Sequence, residues 1–151
     1  PLSLRGEGEL IVRVTSTETI AGEVQWSIAE VLAHLLQQER LRAERIGVAL
    51  REDGVGITPS DPEAYREGAR AGRVAPVPQL IHGLLASRRQ IERLLDEAEA
   101  LQDGLERGVQ HPLMGRQTVA WMLREKVIEH EREHVEQIEA LKASQAGQNS
   151  V

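Results

Sequence analysis

Hydrophobic residues recur at helical spacing in three long stretches of the chain. The first, residues 27–50, opens on Ser27 with Glu30 three positions later, a capping box in which each side chain satisfies the other's backbone N–H. Trp26 before the cap and Val31 after it are placed to form a hydrophobic staple. At about 100° per residue, Val31, Leu35, Leu41, Val48 and Ala49 share one broad arc, while Gln37, Arg40 and Glu44 supply polar relief. The second stretch runs from Gln79 to Arg107, with apolar residues at 81, 84, 91, 95, 98 and 105 and Gly108 as the expected stop. Arg88 interrupts its stripe and is read first as snorkelling to solvent, ahead of pairing with a buried acid or anchoring an anion. The third is capped by Thr118 and reaches Lys142 along a spine of Val119, Leu123, Val127, His130, His134, Ile138 and Leu141.

Between the first two stretches the pattern dissolves into glycines and prolines, so residues 51–78 read as a long crossover. Inside it, Ser60-Asp61-Pro62-Glu63 is a second capping box that predicts a short helix to Arg70. Residues 109–117 read as a turn around His111-Pro112 and Gly115, and residues 143–151 as a frayed polar tail. The first 25 residues contain Gly6 and Gly8, and the β-branched run from Leu10 to Thr15 would also suit a strand. With no second strand candidate to pair with it, this segment is read as a weak first helix, completing an all-α chain of one domain, 1–151.

Composition narrows the chemistry. The absence of cysteine removes disulfides, thiolate metal sites and cysteine nucleophiles, so any metal must be held by nitrogen or oxygen. Two Trp, one Tyr and no Phe argue against base stacking and against an aromatic substrate pocket. A net charge of −6 argues against nucleic-acid binding. The longest apolar run, Val119 to Leu123, is far too short to span a membrane, and no basic-then-apolar signal segment opens the sequence, so a cytoplasmic protein is expected.

Five histidines remain. His130 and His134, four residues apart, lie on one helical face and can converge on one ion. They occupy stripe positions where a bundle would place Leu or Val, so burial leaves their ring nitrogens to be satisfied by a metal or by hydrogen bonds to neighbours such as Glu133 or Gln137. His34, near the middle of the apolar arc of the first stretch, is a third candidate ligand from a facing helix. His82 falls off its stripe and reads as surface, and His111 as a structural turn residue.

The constellation Trp26-Ser27 with Glu30-Val31-Leu32-Ala33-His34-Leu35, then His111-Pro112 with Gly115 and Thr118, then His130-Glu131-Arg132-Glu133-His134 with Gln137-Ile138, resembles the DinB-like superfamily. That group includes the YfiT-like metal-dependent hydrolases and bacterial thiol-dependent S-transferases. The resemblance spans Trp26 to Leu141 and implies a four-helix bundle with a long crossover between the second and third long helices. It also implies a homodimer and a divalent ion, nickel or zinc, on His34, His130 and His134.

Three neutral imidazoles would leave such an ion its Lewis acidity, suiting either hydrolysis or deprotonation of a thiol on a small-molecule substrate. Without cysteine, that thiol would be a low-molecular-weight cofactor such as bacillithiol, mycothiol or glutathione. Glu30 and Glu133 are candidates to orient the histidines or to act as a general base. The opposing reading is a non-catalytic dimeric helical protein with a structural metal or hydrogen-bonded core histidines.

Overall fold

The computed structural model describes residues 3–5, 9–11 and 26–148, with side chains described for 26–144. Residues 3–5 and 9–11 form two short strands, β1 (Ser3–Arg5) and β2 (Glu9–Ile11), paired antiparallel with Leu4 opposite Leu10. These segments are strands where a first helix was expected, because Glu9–Ile11 finds a pairing partner in Ser3–Arg5 of its own chain. The rest of the expected first helix lies outside the described residues, as does the end of the expected frayed tail, whose residues 143–148 instead continue the last helix.

Ser27 caps helix α1 (Ile28–Arg51) as the pattern requires, with the capping box complete: Ser27 Oγ accepts from Glu30 N–H at 3.2 Å and Glu30 Oε2 accepts from Ser27 N–H at 2.9 Å. The crossover carries a two-residue strand β3 (Val55–Gly56), helix α2 (Pro62–Arg70) and a 3₁₀ turn (Ala71–Arg73). Asp61 caps α2, with Pro62 at its first position where a missing N–H costs nothing. Helix α3 (Val77–Ala100) follows, then a hairpin of β4 (Gly108–His111) and β5 (Gly115–Thr118). Helix α4 occupies residues 119–148, starting as Val119–Trp121, widening into a π-helical segment (Met122–Ile128) and continuing as Glu129–Gln148. Among the described residues the fold is therefore all-α in character, with three long helices and the short α2 as the fourth.

Two readings of the sequence are corrected here. The 109–117 turn is a hairpin whose β4 also pairs with β3 in parallel, Val55 opposite Val109. Gly115 at φ 71° turns the hairpin in the left-handed region that glycine enters without strain. Helix α3 also ends earlier than Gly108, because the chain doubles back at Gly104, where a Cβ would lie 2.0 Å from Ala98 O.

The crossover makes α1 and α3 parallel. Leu36 packs with Leu80 near their N-terminal ends, Ala43 with Ile91 midway, and Leu50 with Ala98 near their C-terminal ends. α4 runs antiparallel to α1: Val119 and Met122 pack on Ile46, Ala49 and Leu50, while Leu141 packs on Val31 and Leu35. The core of α1 is therefore Val31, Ala33, Leu35, Leu36, Ala43, Ile46, Ala49 and Leu50, with Leu41 and Val48 only half-buried at the edge of the expected arc. Side chains on α1 also fasten the crossover. Gln37 donates to Ala64 O at 2.8 Å, Arg45 donates to Thr58 O and Ser60 Oγ, and Glu30 accepts from Arg73 at 2.7 Å. The Gln37 and Glu30 ties seat α2 and the 3₁₀ turn against the N-terminal half of α1, and the Arg45 ties hold the segment before α2 to its C-terminal half. Among the described residues, no helix is long and apolar enough to cross a membrane.

Candidate metal centre

The antiparallel packing of α1 and α4 brings His34 opposite His130 and His134. The Nε2 atoms of His34 and His130 lie 3.4 Å apart, those of His130 and His134 3.2 Å apart, and the three rings are mutually tilted at centroid distances of 4.6–5.3 Å. His34 is buried at 2% exposure, and the other two are half-buried. All three predicted ligands thus meet at one place. His82 is exposed, as its position off the stripe predicts. His111 sits in the hairpin, where its Nδ1 accepts from the Leu113 and Met114 N–H groups at 3.2 Å, the turn role expected of it.

Distances and protonation both fit a metal. Metal–nitrogen bonds of about 2.0–2.1 Å in tetrahedral array separate ligand atoms by about 3.3–3.4 Å. The observed separations match that edge, and the group could hold a metal ion. Gln137 Oε1 lies 2.8 Å from His134 Nδ1, and since a carbonyl oxygen can only accept, Nδ1 carries the proton and Nε2 presents its lone pair inward. The other ring nitrogen of His34, Nδ1, is buried without a hydrogen-bond partner, and its Nε2 is the nitrogen that faces His130.

Burial is the first cause that depresses the basicity of these rings. It acts with the neighbouring imidazoles to push His34 from 6.5 down to about 2, and His130 to about 3. Burial also lowers His134, against a counter-pull from Gln137 and Glu133. All three are therefore neutral at pH 7, the form a metal requires, so binding need not expel protons.

Sequence reasoning missed the aromatic wall. Trp26 and Tyr65 pack their rings on His34 at centroid distances of 4.9 and 4.6 Å, so two of the chain's three aromatic residues flank this one imidazole. The low aromatic count hid their convergence, which depends on α2 docking against α1.

Among the described residues, neither candidate carboxylate makes a hydrogen bond to the three rings. Glu30 is committed to Ser27 and Arg73, and Glu133 is exposed on α4. Of the two hydrogen-bonding neighbours considered for the α4 pair, it is Gln137 that contacts a ring. Arg88 does not snorkel; it pairs with buried Glu39 of α1 and with Glu131 of α4, linking both ligand-bearing helices from α3.

Replacing Gln137 with Leu should weaken metal binding by about 10- to 100-fold, the usual cost of losing a ligand-orienting partner, as measured by competition with a chelating dye. An unchanged affinity would show that the hydrogen bond does not orient His134.

Among the comparisons with known proteins, the sequence model described as the DinB superfamily matches residues 13–138. No significant match was found among curated proteins or among solved structures.

Proposed function

Because this chain belongs to the DinB superfamily, we propose that it is a metal-dependent enzyme in which His34, His130 and His134 hold a divalent first-row ion, nickel or zinc. Its reaction is the transfer of a low-molecular-weight thiol to a small electrophilic molecule, with hydrolysis as the competing reading. The convergence of three neutral Nε2 atoms at 3.2 and 3.4 Å carries this proposal.

When bound, an ion on three uncharged ligands supplies Lewis acidity and an open position for a substrate atom. The chain's own contribution is to prepare that position. Gln137 keeps the proton on His134 Nδ1, and burial keeps the imidazoles unprotonated. Trp26 and Tyr65 exclude water from the His34 side.

The disposition of the carboxylates favours the thiol reading. Glu30 is held in its cap and Glu133 faces solvent, so neither is set as a general base. A thiol, with an ordinary pKa of about 8.5, needs far less help to ionise than water. The chain would work in the cytoplasm as a homodimer, on small molecules rather than nucleic acid.

Metal-loaded protein should therefore be screened with bacillithiol, mycothiol and glutathione against small electrophiles, beside a panel of hydrolase substrates. Thiol-dependent turnover that disappears in His34→Ala is expected. Turnover that persists in the variant would overturn the proposed site.

A further inference from the structure

Five large apolar side chains on α3 and α4 stand apart from the core. Val77, Ile81 and Leu85 of α3 are 39%, 45% and 56% exposed, and Ile128 and Val135 of α4 are 56% and 49% exposed. Among the described residues, none of the five joins a buried apolar cluster. Helical geometry gathers them into one strip. At about 100° per residue, Val77 and Ile81 fall within about 20° of Arg88, with Leu85 beside them, while Ile128 and Val135 lie one turn before and one turn after Glu131. The Arg88–Glu131 ion pair sets the two rows side by side, and because the helices are antiparallel, Leu85 and Val135 stand at one level. Ile91 and Val127, buried with Ala43 of α1, mark the inner sides of the same two helices, and Leu85 stands about 120° round α3 from Ile91. The strip therefore faces away from α1.

We propose that this α3–α4 strip is the surface on which a second copy of the chain docks. The inference rests on the homodimer in the reading above and gives that homodimer its interface, with Leu85 and Val135 near the centre. Size is the first argument. α3 has 24 residues, about 36 Å, and two helices side by side are about 20 Å across, so the face offers about 700 Å². A standard interface takes about 800 Å² from each partner. Composition is the second argument: apolar residues fill the middle of the face, while exposed Arg89, Glu92, Arg132 and Glu139 surround it with both signs of charge. Two copies can set opposite charges together at that rim, although each chain carries a net charge of −6. An isologous pair needs only one such face per chain, because each copy presents the same surface to the other. Val135 directly follows His134, so the partner would hold the outer side of the helix whose inner side carries two of the three histidines.

The test is the mass of the folded chain in solution, by light scattering on a sizing column, for wild type, I81E/L85E, V135E and the control L113E. Leu113 is 82% exposed in the hairpin turn, outside the strip. Wild type and L113E should run at twice the 16.7 kDa of one chain. The dimer Kd should rise at least about 100-fold in I81E/L85E and in V135E, because each drives a carboxylate into an apolar contact. The chain has no cysteine, so L85C and L113C give a second readout free of added charge. Where the dimer is fully formed, maleimide should label L85C at least about tenfold more slowly than L113C, and dilution should close the gap. If a strip variant fails to fold, the labelling decides. A dimer unchanged in both strip variants, or equal labelling of the two thiols, would overturn this interface and leave the homodimer standing elsewhere on the chain. A wild type that runs as a monomer at about 100 μM would overturn the interface and the homodimer together, leaving the strip to a different partner and the metal centre untouched.

Discussion

Stripping the ion from metal-loaded protein with a chelator should lower its Tm by about 8–16 °C. Anything that binds only the native state at 1,000 times its Kd adds about 4 kcal/mol of stability. In a domain of this size each kcal/mol moves Tm by about 2–4 °C. His130→Ala should remove both the ion and the response to chelator. His130 is the informative choice because its Nε2 is the atom shared by both close contacts, 3.4 Å to His34 and 3.2 Å to His134. Metal content of tag-free protein, measured beside the two melting curves, checks the result. A wild-type Tm indifferent to chelator, or an ion retained at full stoichiometry by the variant, would instead favour three hydrogen-bonded core histidines.

The metal-free protein should also lose stability in mild acid. The folded state holds the His34 pKa at about 2, below its ordinary 6.5, so below pH 6.5 the unfolded chain takes up a proton that the folded chain refuses. Stability is thus full above pH 6.5 and falls as the pH drops. The slope approaches about 1.4 kcal/mol per pH unit for this nearly fully buried ring, giving a loss of about 2–3 kcal/mol by pH 4.5. His130, lowered to about 3, and His134 act in the same direction. Against a typical total of about 5–15 kcal/mol, the shift is readily seen in urea midpoints at pH 7.5 and 4.5. His34→Gln should flatten the profile by removing one titrating group, and a slope as steep as wild type would show that His34 is not the proton-refusing site.

The parts of this fold legible in the sequence were those set by short-range rules. Ser27 and Glu30 fixed the start of α1 because a capping box is a local exchange of hydrogen bonds, and His130 and His134 disclosed a shared face because their spacing is one helical turn. His34 could be chosen because an imidazole in the middle of an apolar arc needs a partner. Features assembled from distant segments were not legible. The sheet joins Val55 to Val109 across two helices, α2 and α3, and four-residue strands such as Gly108–His111 are too short to announce a period. The π-helical segment, whose wider turn is marked by Glu129 N–H bonded to Arg124 O, adds buried Met122 to the expected spine, with Leu123 half-buried beside it. Leu101 and Leu105 kept the α3 rhythm in sequence after the chain had left the helix to double back at Gly104. Arg88 was read from its own helix alone, whereas its two acids come from the other two long helices.

That three-helix tie has a kinetic meaning. Arg88 grips Glu131, the residue directly after His130, and Glu39, which lies five residues beyond His34. The fastening between the two ligand-bearing helices is thus independent of any ion, and the apolar contacts of Ala43 and Val127 reinforce it. An ion held by the three histidines, as proposed above, would then leave and be replaced while the helices keep their register, so its exchange should proceed from the native state without waiting on global unfolding. The occupant of the proposed site would then be set by the supply of ions around the folded protein throughout its life, rather than once, when the chain first folds.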